Sequence, residues 1–226
     1  RVRARLALDA DGTARALAAD LVFPVGAWAT FSAAVPAWNA ARILPGPYRI
    51  DAVEVRTRAV LTTTAAVGLY RGAGRPEAAA LLERLMDAAA ARLGLDPIEI
   101  RRRNVRPPGA LPCPLPSGAT LDTGDFPALL ARAAALADWP SLLAQRARRR
   151  AAGEAVGLGV ALYVEPCGQG WESAAVSREP DGAYLVASGS SSQGQGHRRL
   201  FARIAAEAAM AAHEQGKFWQ MHDAMF

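Results

Sequence analysis

The sequence predicts an α+β fold of mixed sheets with packed helices. Three observations carry this. Apolar alternation of period two clusters at residues 1–22, 48–63 and 157–187, whereas helical spacing clusters between 78 and 152; strands and helices come in blocks rather than in strict succession. Proline and glycine clusters punctuate the blocks. With 226 residues, 51% of them hydrophobic, the chain can bury a real core and is globular rather than disordered.

Arg1–Leu8 alternates, with Val2, Ala4, Leu6 and Leu8 on one face and Arg1, Arg3 and Arg5 on the other. Asp9-Ala10-Asp11-Gly12 is a turn and Ala14–Val22 returns, which reads as a hairpin ended by Pro24 and Gly26. Ala33–Leu44 is mixed and reads as a short helix before the breaker Pro45-Gly46-Pro47. Tyr48–Thr63 reads as a strand. Gly68–Glu77 is a tight glycine loop, and Ala78–Leu93 a helix with Leu81, Leu82, Leu85, Met86 and Ala89 on one face. Pro76 suits its first turn and Gly94 its stop. Asp96-Pro97 caps and starts a second helix to about Arg103. Pro107–Asp125 reads as loop, Asp125 caps a helix to about Ala137, and Ser141–Ala152 makes a basic one. Gly157–Val164, Ala174–Arg178 and Tyr184–Ala187 read as strands, with Pro180-Asp181-Gly182 turning between the last two. Gly189–Gly196 is a polar loop before a helix near His197.

The formal charge of +5 does not imply nucleic acid. The runs Arg101–Arg103 and Arg146–Arg150 sit on predicted helices, without the interleaved aromatic residues a single-strand-binding surface uses. No apolar run reaches the roughly 18 residues of a membrane span. Cys113 and Cys167 form no CxxC pair and read as free thiols in a reducing compartment, so a cytoplasmic location is expected. The chain opens strand-like on Arg1-Val2-Arg3 without methionine, so an internal piece of a longer polypeptide is expected.

Two loops can carry chemistry. In Tyr70-Arg71-Gly72-Ala73-Gly74-Arg75-Pro76-Glu77, two glycines permit a tight turn and a close backbone approach, and the loop feeds a helix N-terminus suited to an anion. The pattern is neither GxGxxG nor a P-loop, and it also fits a plain strand-to-helix turn with surface arginines. Ser190-Ser191-Ser192-Gln193-Gly194-Gln195-Gly196-His197 offers hydroxyls and amides to a polar ligand, or is an ordinary polar loop. No metal ligand set is apparent, and His197 has no partner at helical spacing.

With their surroundings these loops resemble the molybdopterin-binding large subunit of molybdenum hydroxylases, the xanthine dehydrogenase/aldehyde oxidase family. The resemblance rests on Leu44-Pro45-Gly46-Pro47-Tyr48, the loop Tyr70–Glu77, Gly94-Leu95-Asp96-Pro97-Ile98-Glu99-Ile100-Arg101-Arg102-Arg103-Asn104, Ser117-Gly118, Asp122–Phe126, Gly157-Leu158-Gly159 and Gly194-Gln195-Gly196-His197, in order from Arg1 to about Ala206. It implies partial molybdopterin-binding domains: a first at 1–155 and the start of a second at 156–206. It also implies that Arg71, Gly72, Ala73 and Gly74 place backbone amides beside the metal's oxygen ligand, and that Gly194, Gln195 and Gly196 bind the pyranopterin. The family hydroxylates a carbon beside nitrogen or oxygen, in aldehydes or N-heterocycles, and passes electrons through 2Fe-2S clusters to FAD on partner subunits or domains.

Departures matter as much. Xanthine-type enzymes carry an aromatic residue where Ala73 stands and a substrate-binding arginine near the position of Asn39, which puts purine specificity in doubt. Carbon monoxide dehydrogenases carry a cysteine where Gly72 stands. The family's general-base glutamate lies beyond the Gly-Gln-Gly loop, so no catalytic residue is assigned; Glu165 is a carboxylate suited to lining a pocket rather than to acting as base. The isolated chain is expected to be inactive.

Composition shifts near Ala206: residues 207–226 hold the only lysine, Lys217, with His213, His222, Met210, Met221 and Met225. Residues 208–226 resemble a helical stretch of thioredoxin-like disulfide oxidoreductases without their CxxC, which reads as a chimera with a foreign helical tail at 207–226. A non-catalytic binding or scaffold module is the competing function, and a thiol-disulfide oxidoreductase fragment the weakest one.

Overall fold

The computed structural model describes residues 1–166, 173–178, 180, 184–192 and 194–214. It divides into two units, Arg1–Pro166 and Cys167–Phe226.

The first unit is built on a three-stranded sheet. β1 (Val2–Leu8) and β2 (Ala14–Gly26) form the predicted antiparallel hairpin, with Leu6 opposite Leu17 and Ala4 opposite Ala19. α1 (Val35–Ile43) then crosses over and lets β3 (Ala52–Leu61) run parallel to β2, giving the order β1-β2-β3. Ala4, Leu6, Leu17, Ala19, Leu21, Val53 and Val55 face the core. Arg3, Arg5, Glu54 and Arg56 take the solvent side of the pleat.

α2 (Arg75–Leu93) packs Leu81, Leu82, Met86, Ala89 and Ala90 into this core. Gly94 ends it in the left-handed region at φ 65°. Asp96 caps α3 (Pro97–Asn104) by accepting from the Ile98 amide at 2.7 Å, as its sequence position requires. The same Asp96 accepts from Trp139 Nε1 at 2.9 Å, tying α3 to the basic helix α5 (Trp139–Ala151). Asp125 caps α4 (Phe126–Leu136) through the Ala128 amide at 2.9 Å.

Three expectations need correction. The strand expected from Tyr48 begins only at Ala52. Tyr48 and Ile50 are fully buried, and the Arg49 amide donates to Asn104 O, so this stretch is drawn off the sheet toward α3. The loop Pro107–Asp125 contains a small ladder, β4 (Cys113–Pro114) with β5 (Thr120–Leu121). Gly157–Val164 keeps the alternation of a strand, Leu158, Leu162 and Val164 turning inward, but joins no ladder among the described residues. Leu162 and Val164 lie on the core of the first unit instead.

A buried polar hub holds this unit together. Glu83 is only 6% exposed. It accepts from Tyr48 Oη at 2.6 Å, Arg101 Nε at 2.7 Å and the Leu162 amide at 3.0 Å. Arg101, fully buried, also donates to Pro97 O and to Asp87. Desolvation, with the Glu83 charge beside it, pushes the Tyr48 hydroxyl far above its ordinary pKa, so it stays protonated and donates.

In the second unit, β6 (Ala174–Arg178) pairs antiparallel with β7 (Tyr184–Ser188). Asp181 and Gly182 of the expected turn lie outside the described residues. α6 (His197–Glu214) follows, continuous across residue 206.

Candidate cofactor-binding loops

The Tyr70–Arg75 turn is built by its glycines. Gly72 and Gly74 have φ values of 97° and 88°, which only glycine adopts without strain. A Cβ on Gly74 would stand 1.9 Å from Pro36 O, so glycine is also required for the loop to seat against the start of α1. The Ala73 amide donates to Tyr70 O and the Arg75 amide to Gly72 O, both at 2.9 Å. α2 then starts at Arg75 with Pro76 in its first turn, where a missing N–H costs nothing.

This wiring sorts the loop's donors. Ala73 spends its amide inside the turn. The amides of Arg71, Gly72 and Gly74 meet no protein acceptor among the described residues. They lie at the positive end of a helix of 19 residues, with the Arg71 side chain in solvent. The donor set suits a ligand that presents oxygen acceptors and partial negative charge.

Arg75 does not point its charge into solvent. Its Nη1 donates to Glu165 Oε1 at 2.8 Å, 90 residues away in sequence. The carboxylate suited by sequence to a pocket wall is therefore committed to the loop's own arginine.

The structure also shows a rim that the sequence reading missed. Residues 25–32 and 62–69 are stitched together: Ala27 N to Thr64 O, Val67 N to Val25 O, Thr30 Oγ1 to Val67 O and Leu69 N to Ser32 Oγ. They carry Trp28, Phe31 and Leu69 outward, beside Tyr70 at 87% exposure. The available signal was aromatic residues just past a strand end, where no regular element would bury them.

Gly194–Gly196 belongs to the second unit. Gly194 and Gly196 have φ values of 94° and 74°, and Gly196 O receives the Arg199 and Leu200 amides, so this glycine starts α6. Gln193 lies outside the described residues. Among the described residues, no cluster of three His, Cys, Asp or Glu side chains is placed to hold a metal, and no helix is long and apolar enough to cross a membrane. The donor set of the Arg71–Gly74 turn fits a polar, oxygen-rich ligand held through backbone contacts.

Residues 1–105 and 132–215 each match a molybdopterin cofactor-binding domain, together more than half of the chain. The second match runs past the composition shift near Ala206. The chain is 33% identical to the 6-hydroxypseudooxynicotine dehydrogenase complex subunit gamma of Paenarthrobacter nicotinovorans, over 92% of this chain and 27% of that one. It is 31% identical to the nicotine 6-hydroxylase large subunit of the same organism, over 77% and 23%. Quinoline 2-oxidoreductase from Pseudomonas putida 86 superposes with a TM-score of 0.85 at 31% identity, over 92% of this chain and 28% of that one. The chain thus spans about a quarter of the length of the relatives it matches.

Proposed function

Since this chain belongs to the molybdopterin-binding subunits of the molybdenum hydroxylase family, we propose that it supplies cofactor-binding loops to a molybdenum-dependent hydroxylase that oxidises N-heterocycles in preference to aldehydes. The observation that carries this is the Arg71–Gly74 turn with its unspent amides at the N-terminus of α2. Relatives named for nicotine and quinoline chemistry favour the N-heterocyclic substrate. Ala73, small and half-buried, would leave room beside the turn for a flat ring.

Bound molybdopterin would supply the two-electron oxidation. Arg71, Gly72 and Gly74 would hold its acceptor atoms through their amides, and Ala73 would keep the turn closed through its bond to Tyr70. Gly194, Gln195 and Gly196 would bind the pterin through their backbone, the two glycines at positive φ carrying no Cβ. Trp28, Phe31 and Tyr70 would give the approach an apolar, water-poor wall. FAD-binding and iron–sulfur subunits would take the electrons, in a cytoplasmic assembly. The likeness of residues 208–226 to disulfide oxidoreductases remains part of this reading. The second domain match and α6 both continue past residue 206, where that tail would begin.

The test is purification of the assembled enzyme that carries this chain, with metal and pterin analysis and oxidation of quinoline compared with benzaldehyde. Molybdenum with pterin and faster quinoline oxidation are expected. An assembly free of both metal and pterin would overturn the cofactor role and leave a scaffold module. Faster benzaldehyde oxidation would overturn the substrate preference.

A further inference from the structure

We infer that Glu165 is a positioning residue for the Arg71–Gly74 turn, acting through Arg75 from the extended segment 157–165. The inference rests on the cofactor role proposed above only for its purpose; the geometry stands alone.

Most helix starts are fixed by a side-chain cap, and α2 has none: its N-cap is Gly74, in the left-handed region, with no side-chain hydrogen bond. Two positive-φ glycines make the turn soft, and only the Ala73 and Arg75 amides pin it internally. A cation at the first helical position also opposes the helix dipole, so Arg75 left alone would be unfavourable there. Glu165 answers both problems. It cancels the misplaced charge and grips the residue that joins turn to helix, at 2.8 Å.

The grip is anchored. Leu162 is buried, its amide donates to Glu83 Oε2 at 3.0 Å, and Val164 packs on the core. Glu165 is therefore held one residue beyond a fixed contact. The segment 157–165 crosses from the Glu83 hub to the start of α2 and transmits the position of the core to the turn. The Arg75 and Glu165 side chains are 25% and 45% exposed, so the pair adds little to global stability. Its effect is local.

The test is amide hydrogen exchange by NMR on the full chain without cofactor, comparing the parent, Glu165→Ala, Glu165→Gln and the charge-swapped Arg75→Glu/Glu165→Arg pair. Exchange at the Ala73 and Arg75 amides is expected to rise about threefold in Glu165→Ala and less in Glu165→Gln, as a local opening of a partly exposed pair would produce. The charge-swapped pair should restore it, and the amides of Leu82 to Ala90 and the melting temperature should stay at parent values. Unchanged exchange at Ala73 and Arg75 in Glu165→Ala would overturn the inference. So would a rise spread equally through α2, or a swapped pair that restores nothing. None of these outcomes depends on cofactor, so failure here is distinct from an assembled enzyme that lacks molybdenum.

Discussion

Glu83 offers the most demanding test of how the first unit is held. Its two oxygens accept from a phenol, a guanidinium and a backbone amide, all inside the core. Glu83→Ala strands all three donors. Arg101 would retain Asp87, which is 49% exposed, and Pro97 O, but would lose its buried carboxylate. Removing one member of a buried ion pair costs about 3–5 kcal/mol. Glu83→Gln keeps the volume. Its oxygen can still serve Arg101 Nε and the Leu162 amide, and its amide nitrogen can donate to Tyr48 Oη once that hydroxyl turns. The charge is lost, leaving Arg101 with only the half-exposed Asp87 as counter-charge, so the expected cost is about 2–3 kcal/mol, below that of Glu83→Ala. Replacing both partners, Glu83→Leu with Arg101→Met, should cost less than Glu83→Ala alone, because no charge is left buried. Urea unfolding followed by far-ultraviolet circular dichroism measures all three. The reasoning fails if Glu83→Ala unfolds within about 1 kcal/mol of the parent, or if Gln is as damaging as Ala.

Four further outcomes follow from named contacts. The folded pKa of Tyr48 is raised above its ordinary value near 10, so the stability it contributes is full below pH 10 and is lost above it, as the unfolded phenol ionises first. Urea titrations should show about 1.4 kcal/mol more decline in total between pH 9 and 11 in the parent than in Tyr48→Phe. Glu99, its carboxylate lowered to about 2 by hydrogen bonds from Arg102 and Arg103, gives stability that is present above pH 4.5 and lost as pH falls toward 2. Glu99→Gln should flatten that acid limb in a melting-temperature series, and an unchanged limb would count against the pairing. Gly74→Ala, forced against Pro36 O at positive φ, should lower stability by about 2 kcal/mol or more; Gly94→Ala, with open space around it but a left-handed backbone, should cost only about 1 kcal/mol. Asp96→Ala removes the α3 cap and orphans Trp139 Nε1, so a loss of about 2–3 kcal/mol is expected in the same denaturation assay.

Local signals in the sequence carried far. The hairpin, the caps Asp96 and Asp125, the Gly94 stop and the start of α2 beside Pro76 follow from short-range chemistry that a sequence displays directly. What escaped depends on partners distant in the chain. Tyr48 and Ile50 alternate like strand residues, yet a contact with the end of α3 decides their place. Gly157–Val164 alternates like a strand, yet alternation reports which side chains turn inward, not whether a neighbouring strand exists to bond. The Tyr70–Arg75 turn was legible as a glycine pattern. Its division into a spent amide at Ala73 and unspent ones at Arg71 and Gly72 was not, because that depends on the path of the turn. The charge on Glu165 was visible, but its commitment to Arg75 required the fold.

These long-range contacts share one element. α2 carries Arg75 at its first turn and Glu83 two turns further on, and the segment 157–165 reaches both. The two contacts differ in burial, and burial sets what each can do. Glu83 is closed off from water, where losing a partner costs several kcal/mol, so it fixes how the extended segment lies on the core. The Arg75–Glu165 pair is partly solvated, where an ion pair contributes little to stability but still holds two side chains in register. A rigid anchor next to a soft one lets the fold hold the Gly72–Gly74 turn in place while leaving it free to adjust by small amounts. Stability and loop geometry therefore separate along a single helix. Substitutions at Glu83 should move the unfolding midpoint, and those at Glu165 the local opening of the turn.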